Sequence, residues 1–281
     1  MIAITGSSQP ISELIAAYPE NSVEQQVLKQ MSDSAETYRY DTLKQLQFEL
    51  SLRKEIVNAA RDLNQSGLNF TVFHKSKVNP EFWERTSNGG FLLKQGVKPS
   101  DAIRDIFKNG RLYGTECATA MVIVYYKALL ELLSDDTFNR LFPSIYLMNW
   151  HRLDPLLREV GTPQSVADVM LGDRGYFINP EVDPEVSELQ GENVIIMPGG
   201  LYYGHGIGLT TADRILRMLN ANRVDGATQS AYFIEKSAAR PNFKKLEQAA
   251  QGSAATISPQ SSQSSQPSIL NWRPFPQPIS R

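Results

Sequence analysis

Cysteine is almost absent from this chain, with one residue, Cys117, in 281. A single thiol excludes an intramolecular disulfide and any metal site built from several thiolates. Histidine is scarce too: His74, His151 and His205 are the full set. They offer no closed zinc site, and no aspartate run has the D-x-[DN]-x-[DN]-G spacing of a calcium loop, so no metal cofactor is expected. Charge of one sign is also lacking. A formal net charge of −2 gives no field for nucleic acid or acidic lipid, and neither is expected as a partner. No stretch approaches the ~18 apolar residues of a membrane helix. Met1-Ile2-Ala3-Ile4-Thr5-Gly6 has no basic segment ahead of an apolar one, so no secretory signal is expected. The expectation is a soluble protein made in a reducing compartment.

What is present is enough apolar material for a substantial core, 41% of the residues, in one large domain or two small ones. Residues 1–40 are mixed and polar and read as a loosely packed N-terminal arm, with a short helix near Ile11 to Ala17. Leu43, Leu46, Leu50, Ile56, Val57, Ala60 and Leu63 recur near helical spacing, so 41–64 reads as a long amphipathic helix stopped by Gly67. Ser100 to Phe107 reads as a helix with a Ser cap, and Ala118 to Leu133 as a buried one. Strands are expected at Leu68 to Phe73, Gly89 to Leu93, Ser144 to Asn149 and Ser230 to Lys236. Asn193 to Met197 and Leu201 to Gly204 form a hairpin around Gly199-Gly200. Thr211 to Asn220 is helical. From 249 onward Ser, Gln and Pro dominate, and such a tract cannot bury enough apolar surface to offset its ordering entropy. The layout is an arm over 1–40, a catalytic domain over 41–248 and a disordered tail over 249–281.

The chemistry starts at Gly114-Thr115-Glu116-Cys117-Ala118-Thr119, where a turn becomes a helix. With Thr115 as cap and Glu116 in the first turn, the Cys117 sulfur stands beside unsatisfied backbone N–H groups. A helix N-terminus favours thiolate over thiol, and the same N–H groups could stabilise an oxyanion. The plainer reading of a lone cysteine is an inert buried one. Glu116 either complements the helix dipole or tunes its neighbour. His205 lies in Tyr203-Gly204-His205-Gly206-Ile207-Gly208, directly after a strand, where glycines let the backbone turn and expose an imidazole; a satisfied structural histidine is the alternative. Glu192, at the start of an apolar strand, is either a strand-end surface charge or a carboxylate held beside the thiol. His74 reads as solvated, and His151 as a weaker candidate beside Trp150.

Glu116-Cys117-Ala118-Thr119-Ala120, Gly191-Glu192-Asn193-Val194-Ile195 and Gly204-His205-Gly206-Ile207-Gly208 resemble motifs of the bacterial spore-coat transglutaminases. So do Gln47-Phe48-Glu49-Leu50, Ala102-Ile103-Arg104-Asp105-Ile106, Leu171-Gly172-Asp173, the 179–184 segment and Gln229-Ser230-Ala231-Tyr232, in order from Tyr40 to Lys236. The resemblance implies an α/β (α+β) fold: a compact single domain with a papain-like, NlpC/P60-like cysteine-transferase core. It implies protein-glutamine γ-glutamyltransferase activity without calcium or other cofactor. Cys117 would be the nucleophile, Glu192 and His205 its partners and Glu116 a supporting carboxylate, with Phe70 and Trp150 lining the substrate passage. Partners would be glutamine- and lysine-bearing proteins of the spore coat, the enzyme being made in the mother-cell cytoplasm and assembled on the coat. Two departures stand out: Asn149 precedes Trp150-His151 where aspartate is common, and Leu189 stands where tryptophan often does. A papain-like hydrolase or glutamine deamidase, and a coat protein with a degenerate site, are the rival readings. The tail glutamines Gln251, Gln260, Gln263, Gln266 and Gln277 are candidate donors for the enzyme itself, beside the plainer reading of a passive tail.

Overall fold

The long amphipathic pattern forms helix α3 (Leu43–Gln65), started by Thr42, whose hydroxyl accepts from the Gln45 N–H. The apolar run forms α5 (Cys117–Leu132). These two helices pack along each other and make the centre of the core, with Leu50, Ile56 and Leu63 of one and Met121, Val124 and Tyr125 of the other fully enclosed. Because α5 is apolar on every side, it must be covered all round. The covering includes α4 (Pro99–Lys108), α6 (Asp135–Leu141) and a β-sheet. The start of α4 has no side-chain cap; Pro99 opens it after Lys98, and Ser100 lies one residue inside. The computed structural model describes residues 1–252. None of the helices among them is long and apolar enough to cross a membrane.

The first forty residues are not a loose arm. They form β1 (Ile2–Ile4), α1 (Ile11–Ala16), α2 (Val23–Asp33) and β2 (Tyr38–Tyr40), with β1 and β2 paired in parallel. Val27, Leu28 and Met31 are fully buried in the main core. The polar composition misleads here because α2 presents only a narrow apolar stripe, which is nonetheless enough to dock it on α3.

Four small pairings frame the upper and side faces. β3 (Asn69–Phe70) runs parallel to β6 (Gly114–Thr115), and β4 (Trp83–Arg85), β5 (Phe91–Leu93) and β7 (Tyr146–Leu147) form a three-stranded sheet. β8 (Gln164–Ser165) pairs with β14 (Ser237–Ala238). The main sheet is antiparallel in the order β12-β11-β10-β9-β13. Its strands are β9 (Arg174–Ile178), β10 (Gly191–Met197), β11 (Leu201–Gly204), β12 (Gly208–Thr211) and β13 (Tyr232–Phe233). Its other face carries a smaller core of Phe177, Val194, Ile215 and Leu219 beneath α7 (Ala212–Asn220). Helix α8 (Phe243–Ala250) closes the described chain over α3. The expected boundary at 249 falls in its last turn, and most of the expected tail, 253–281, lies outside the described residues.

A buried ion network fixes the entry to β9. Arg53 of α3 bonds Glu49 Oε1 at 2.8 Å, Asp173 Oδ1 at 2.8 Å and the Leu171 carbonyl at 2.9 Å. Asp173 also accepts from Arg240 at 2.6 Å and from the Met170 N–H at 2.9 Å. Pairing two cations with two carboxylates offsets the cost of burying Arg53 and Asp173, which neither could meet alone, though Arg53 Nη2 and Arg240 Nε are left without hydrogen-bond partners. The Leu171-Gly172-Asp173 motif is thus the latch that holds β9 to α3. The result is a mixed helix–sheet fold with a central helix whose N-terminus meets an antiparallel sheet, the arrangement of a papain-like α+β core.

Candidate active site

Chain direction brings the site together. β6 delivers Thr115, and α5 begins two residues later with Cys117. Across from it, β10 places Glu192 and Asn193 near the sulfur. The helix cap is Glu116 and not Thr115: Glu116 Oε2 accepts from the Ala118 N–H at 2.5 Å and Oε1 from the Thr119 N–H at 2.6 Å. Burial raises the Glu116 carboxyl above the usual carboxylate range, and hydrogen bonding from Thr119, Ala118 and Cys117 acts the other way. Two of the first-turn N–H groups that the helix start offered to an oxyanion, those of Ala118 and Thr119, are therefore taken by a carboxylate one residue outside the helix.

Protonation at Cys117 also departs from expectation. Burial, then the charges of Glu192 and Glu116, push the thiol well above its ordinary value; hydrogen bonds from the Asn193 side chain and backbone N–H act the other way. Three acidic groups crowded into one low-dielectric space cannot all ionise, and this outweighs the helix dipole. Glu192 is 5% exposed and is itself pushed well above the usual carboxylate range, by burial first and the Glu116 charge second. Its Oε1 is buried with no hydrogen-bond partner. Opposite it stands Gly204, where a Cβ would come within 2.7 Å of that oxygen. The strand-end surface charge is excluded.

His205 is 4% exposed. Its Nε2 lies 3.3 Å from the Asn69 carbonyl, and its ring sits 5.8 Å from that of Phe70. Burial holds the imidazole down to about 4, with backbone hydrogen bonds to Asn69 and Thr115 opposing. Among the described hydrogen bonds none joins it to Cys117, so the histidine grips the β3–β6 pair that feeds the nucleophile. Gly206, at φ 104°, lies against Phe70; a side chain is disfavoured there both by the left-handed backbone and by the ring. His74 and His151 are exposed. The neutral imidazole predicts acid lability. Between pH 6.5 and about 4 the unfolded chain takes up a proton that folded His205 refuses, so this stabilisation is complete above pH 6.5 and disappears as pH falls toward 4. The loss reaches about 3 kcal/mol. A His205→Gln variant is expected to lose less stability over that window, read from urea midpoints at successive pH values; parallel curves would rule out the buried neutral ring.

Phe70 is 43% exposed on β3, directly opposite Thr115 in the β3–β6 register. Trp150 is half-buried in the loop after β7 and is tied to the nucleophile's helix, since the Asn149 N–H donates to Thr119 Oγ1 at 2.8 Å. Asn149 has φ 50°, a left-handed position that asparagine tolerates. Its Oδ1 accepts from the Trp150 N–H at 2.7 Å, so the departure from aspartate keeps a side-chain acceptor in place. Leu189 is partly buried against the smaller core. Two surface clefts, one around Tyr40, Arg240 and Phe243 and one around Phe107, Lys108 and Lys127, lie away from Cys117.

Two site residues escaped sequence reasoning. Asn193 Nδ2 donates to Cys117 Sγ at 3.7 Å, and Arg174 Nη1 donates to Asn193 Oδ1 at 2.6 Å. Asn193 was quoted only as part of a motif, and Arg174 directly follows Asp173. A charged residue beside Gly175 gives no strand signal.

A cysteine at a helix start facing a buried strand carboxylate suits acyl transfer, and relatives say which kind. The sequence model of the family described as protein-glutamine gamma-glutamyltransferase matches residues 1–250. The chain belongs to this family. Relatives of that name from Bacillus mycoides (strain KBAB4) and Bacillus cereus (strain B4264) are each 46% identical over 217 residues, 77% of this chain and 78% of theirs. A solved transglutaminase from Geobacillus stearothermophilus, without its C-terminal extension, superposes with a TM-score of 0.70 at 46% identity, over 74% of this chain and 98% of that one. The chain is accordingly an enzyme, a γ-glutamyltransferase whose substrates are proteins presenting glutamine and lysine.

Proposed function

We propose that this transglutaminase forms ε-(γ-glutamyl)lysine isopeptide cross-links through a thioester on Cys117, without calcium, and that its natural substrates are spore-coat proteins. The observation that carries the mechanism is the unpartnered Glu192 Oε1 beside the sulfur. Burial raises Glu116 as it does Glu192, but both oxygens of Glu116 already accept from helix N–H groups while Glu192 Oε1 has no partner, so Glu192 is the better proton acceptor. Cys117 gives its proton to Glu192 and the sulfur attacks the side-chain carboxamide of a substrate glutamine. Glu192 returns that proton to the departing nitrogen, ammonia leaves and the acyl thioester remains. An incoming lysine ammonium gives one proton to Glu192, which releases it to solvent. The amine then attacks the thioester, Glu192 takes the second proton from the attacking nitrogen, and that proton passes to the thiolate as the C–S bond breaks. Every bond and proton in the cycle is accounted for by these groups, and no Lewis acid is called for.

The thioester must outlast water long enough for an amine to arrive, and apolar walls serve that purpose. Phe70 and Trp150 take that role in this reading. His205, neutral and held by backbone, positions β3 and β6 and does not compete with Glu192 as base. The catalytic unit is read as a single domain reaching to about residue 248, now including the first forty residues. The coat assignment, with synthesis in the mother cell, rests on the resemblance and on the Bacillus origin of the relatives. Glutamines beyond residue 249 are further proposed as donors for the enzyme itself.

The deciding experiment measures ammonia release and fluorescent-amine incorporation together, on a glutamine-rich protein, with and without EDTA. Ammonia release accompanied by near-equal amine incorporation, unchanged by EDTA, is expected. Ammonia without incorporation would replace the transferase by a deamidase, and loss in EDTA restored by a metal would end calcium independence. Mass spectrometry of isopeptides from the same reaction, and from host spore coats, identifies the substrates and reads whether Gln260 or its neighbours are modified.

A further inference from the structure

The Glu116 carboxylate occupies the Ala118 and Thr119 N–H groups, and the donors shown at the sulfur come from β10. We infer that Asn193 is the residue that receives charge on Cys117, and that Arg174 is the positioning residue that fixes which end of the Asn193 amide faces the sulfur. Asn193 offers Sγ its side-chain Nδ2–H at 3.7 Å and its backbone N–H. An asparagine amide can turn over and present its oxygen instead, which would repel a thiolate. Here it is held. The guanidinium of Arg174 has donors and no acceptor, so only Oδ1 can face it, at 2.6 Å, and Nδ2 is left for the sulfur.

Arg174 is itself locked on three sides. It is 4% exposed, its Nε donates to the Val160 carbonyl at 3.1 Å, and its Cζ stacks 4.4 Å over the Trp150 ring. The register of β9 and β10 puts Arg174 opposite Ile195, so Arg174 and Asn193 are diagonal neighbours. The groups that act electrostatically on the sulfur are Glu116 from the start of α5, Glu192 from β10, and Tyr176 and Arg174 from β9. Arg174 supplies the one cation in that set, placed behind the amide. When the S–H bond breaks, the proton forms an O–H bond with Glu192, and the electron pair left on sulfur is met by the two N–H groups of Asn193. Trp150 thereby gains a task besides lining a passage, since it is the platform for this arginine.

The inference rests on Cys117 being the nucleophile of the proposed reaction, and its test is independent of acyl transfer. Alkylation of Cys117 by iodoacetamide in the full chain, followed by mass spectrometry across pH, reads ionisation directly. Asn193→Ala and Arg174→Met are each expected to raise the alkylation midpoint by about one pH unit, a tenfold loss in ionisation. The double variant should move it no further, because the two act as one unit. Arg174→Lys should restore part of the shift, since an ammonium also donates to Oδ1. In amine incorporation, kcat should fall about tenfold with KM for the glutamine donor unchanged. An unmoved midpoint in Asn193→Ala, or additive shifts in the double variant, overturns the inference. Should Arg174→Met fail to fold, Asn193→Ala and Arg174→Lys decide it: a midpoint that shifts in the first and equally in the second refutes the positioning role of a donor at 174. A wild-type protein that alkylates with the expected profile but incorporates no amine refutes the transferase reading and leaves the Asn193–Arg174 unit standing.

Discussion

Cys117→Ala is expected to take amine incorporation down to background, by more than about 10⁴-fold, while the thermal transition stays within a few degrees of wild type. The size follows from the chemistry. Without the sulfur there is no thioester, and no other thiol exists in the chain to substitute. The mild effect on stability follows from position. Cys117 is the first residue of α5 and only half-buried, the helix cap belongs to Glu116, and alanine is a better helix former than cysteine. Residual activity above background would remove Cys117 from the mechanism, and loss of activity together with the folded state would mark it as a core residue.

Glu192→Gln should lower the rate by about 10² or more and at the same time stabilise the protein. A folded carboxylate held above its unfolded pKa contributes stability below that unfolded value and forfeits it as pH rises through the folded one. Wild type therefore weakens, relative to the Glu192→Gln variant, as pH climbs above about 4.5, the model-peptide range. The gain in the variant should grow toward neutral pH, where glutamine keeps the shape and sheds the buried charge. Loss of function with gain of stability is the mark of a group retained for chemistry. Calorimetry across pH 4 to 8 beside kcat measurements would show it. A variant that is slower and also less stable at neutral pH would recast Glu192 as a structural acid.

Long periodic elements were legible in the sequence, and so was part of the cluster around Cys117. The spacing of Leu43 to Leu63 gives α3 to within two residues, the apolar run after Cys117 gives α5, and the 193–204 hairpin appears as β10 and β11. Cys117, Glu192 and Glu116 meet as expected. What the pattern hid were features made by charge. Residues 1–40 looked too polar to pack, yet Val27, Leu28 and Met31 lie at the centre of the core. β9 opens with Arg174 and Gly175, which argue against a strand until Asn193, the Val160 carbonyl and the Trp150 ring supply partners for the arginine. The protonation of the site was equally out of reach. A helix N-terminus alone predicts a thiolate, but the stronger of the two competing carboxylates, Glu192, comes from a strand 75 residues beyond Cys117, and only folding sets them together.

The bare backbone at Gly204 has an evolutionary consequence. The partner strand presents Glu192 with a vacancy where every other amino acid would put a carbon atom, 2.7 Å from the free carboxylate oxygen. That oxygen owes its freedom to a missing group, and no substitution at 204 can leave it undisturbed. A mutation there would displace the proposed base while Cys117, Glu116 and Glu192 themselves stayed intact. Descendants can exchange surface, loops and even helix caps, but selection on this reaction must keep guarding one hydrogen atom in β11.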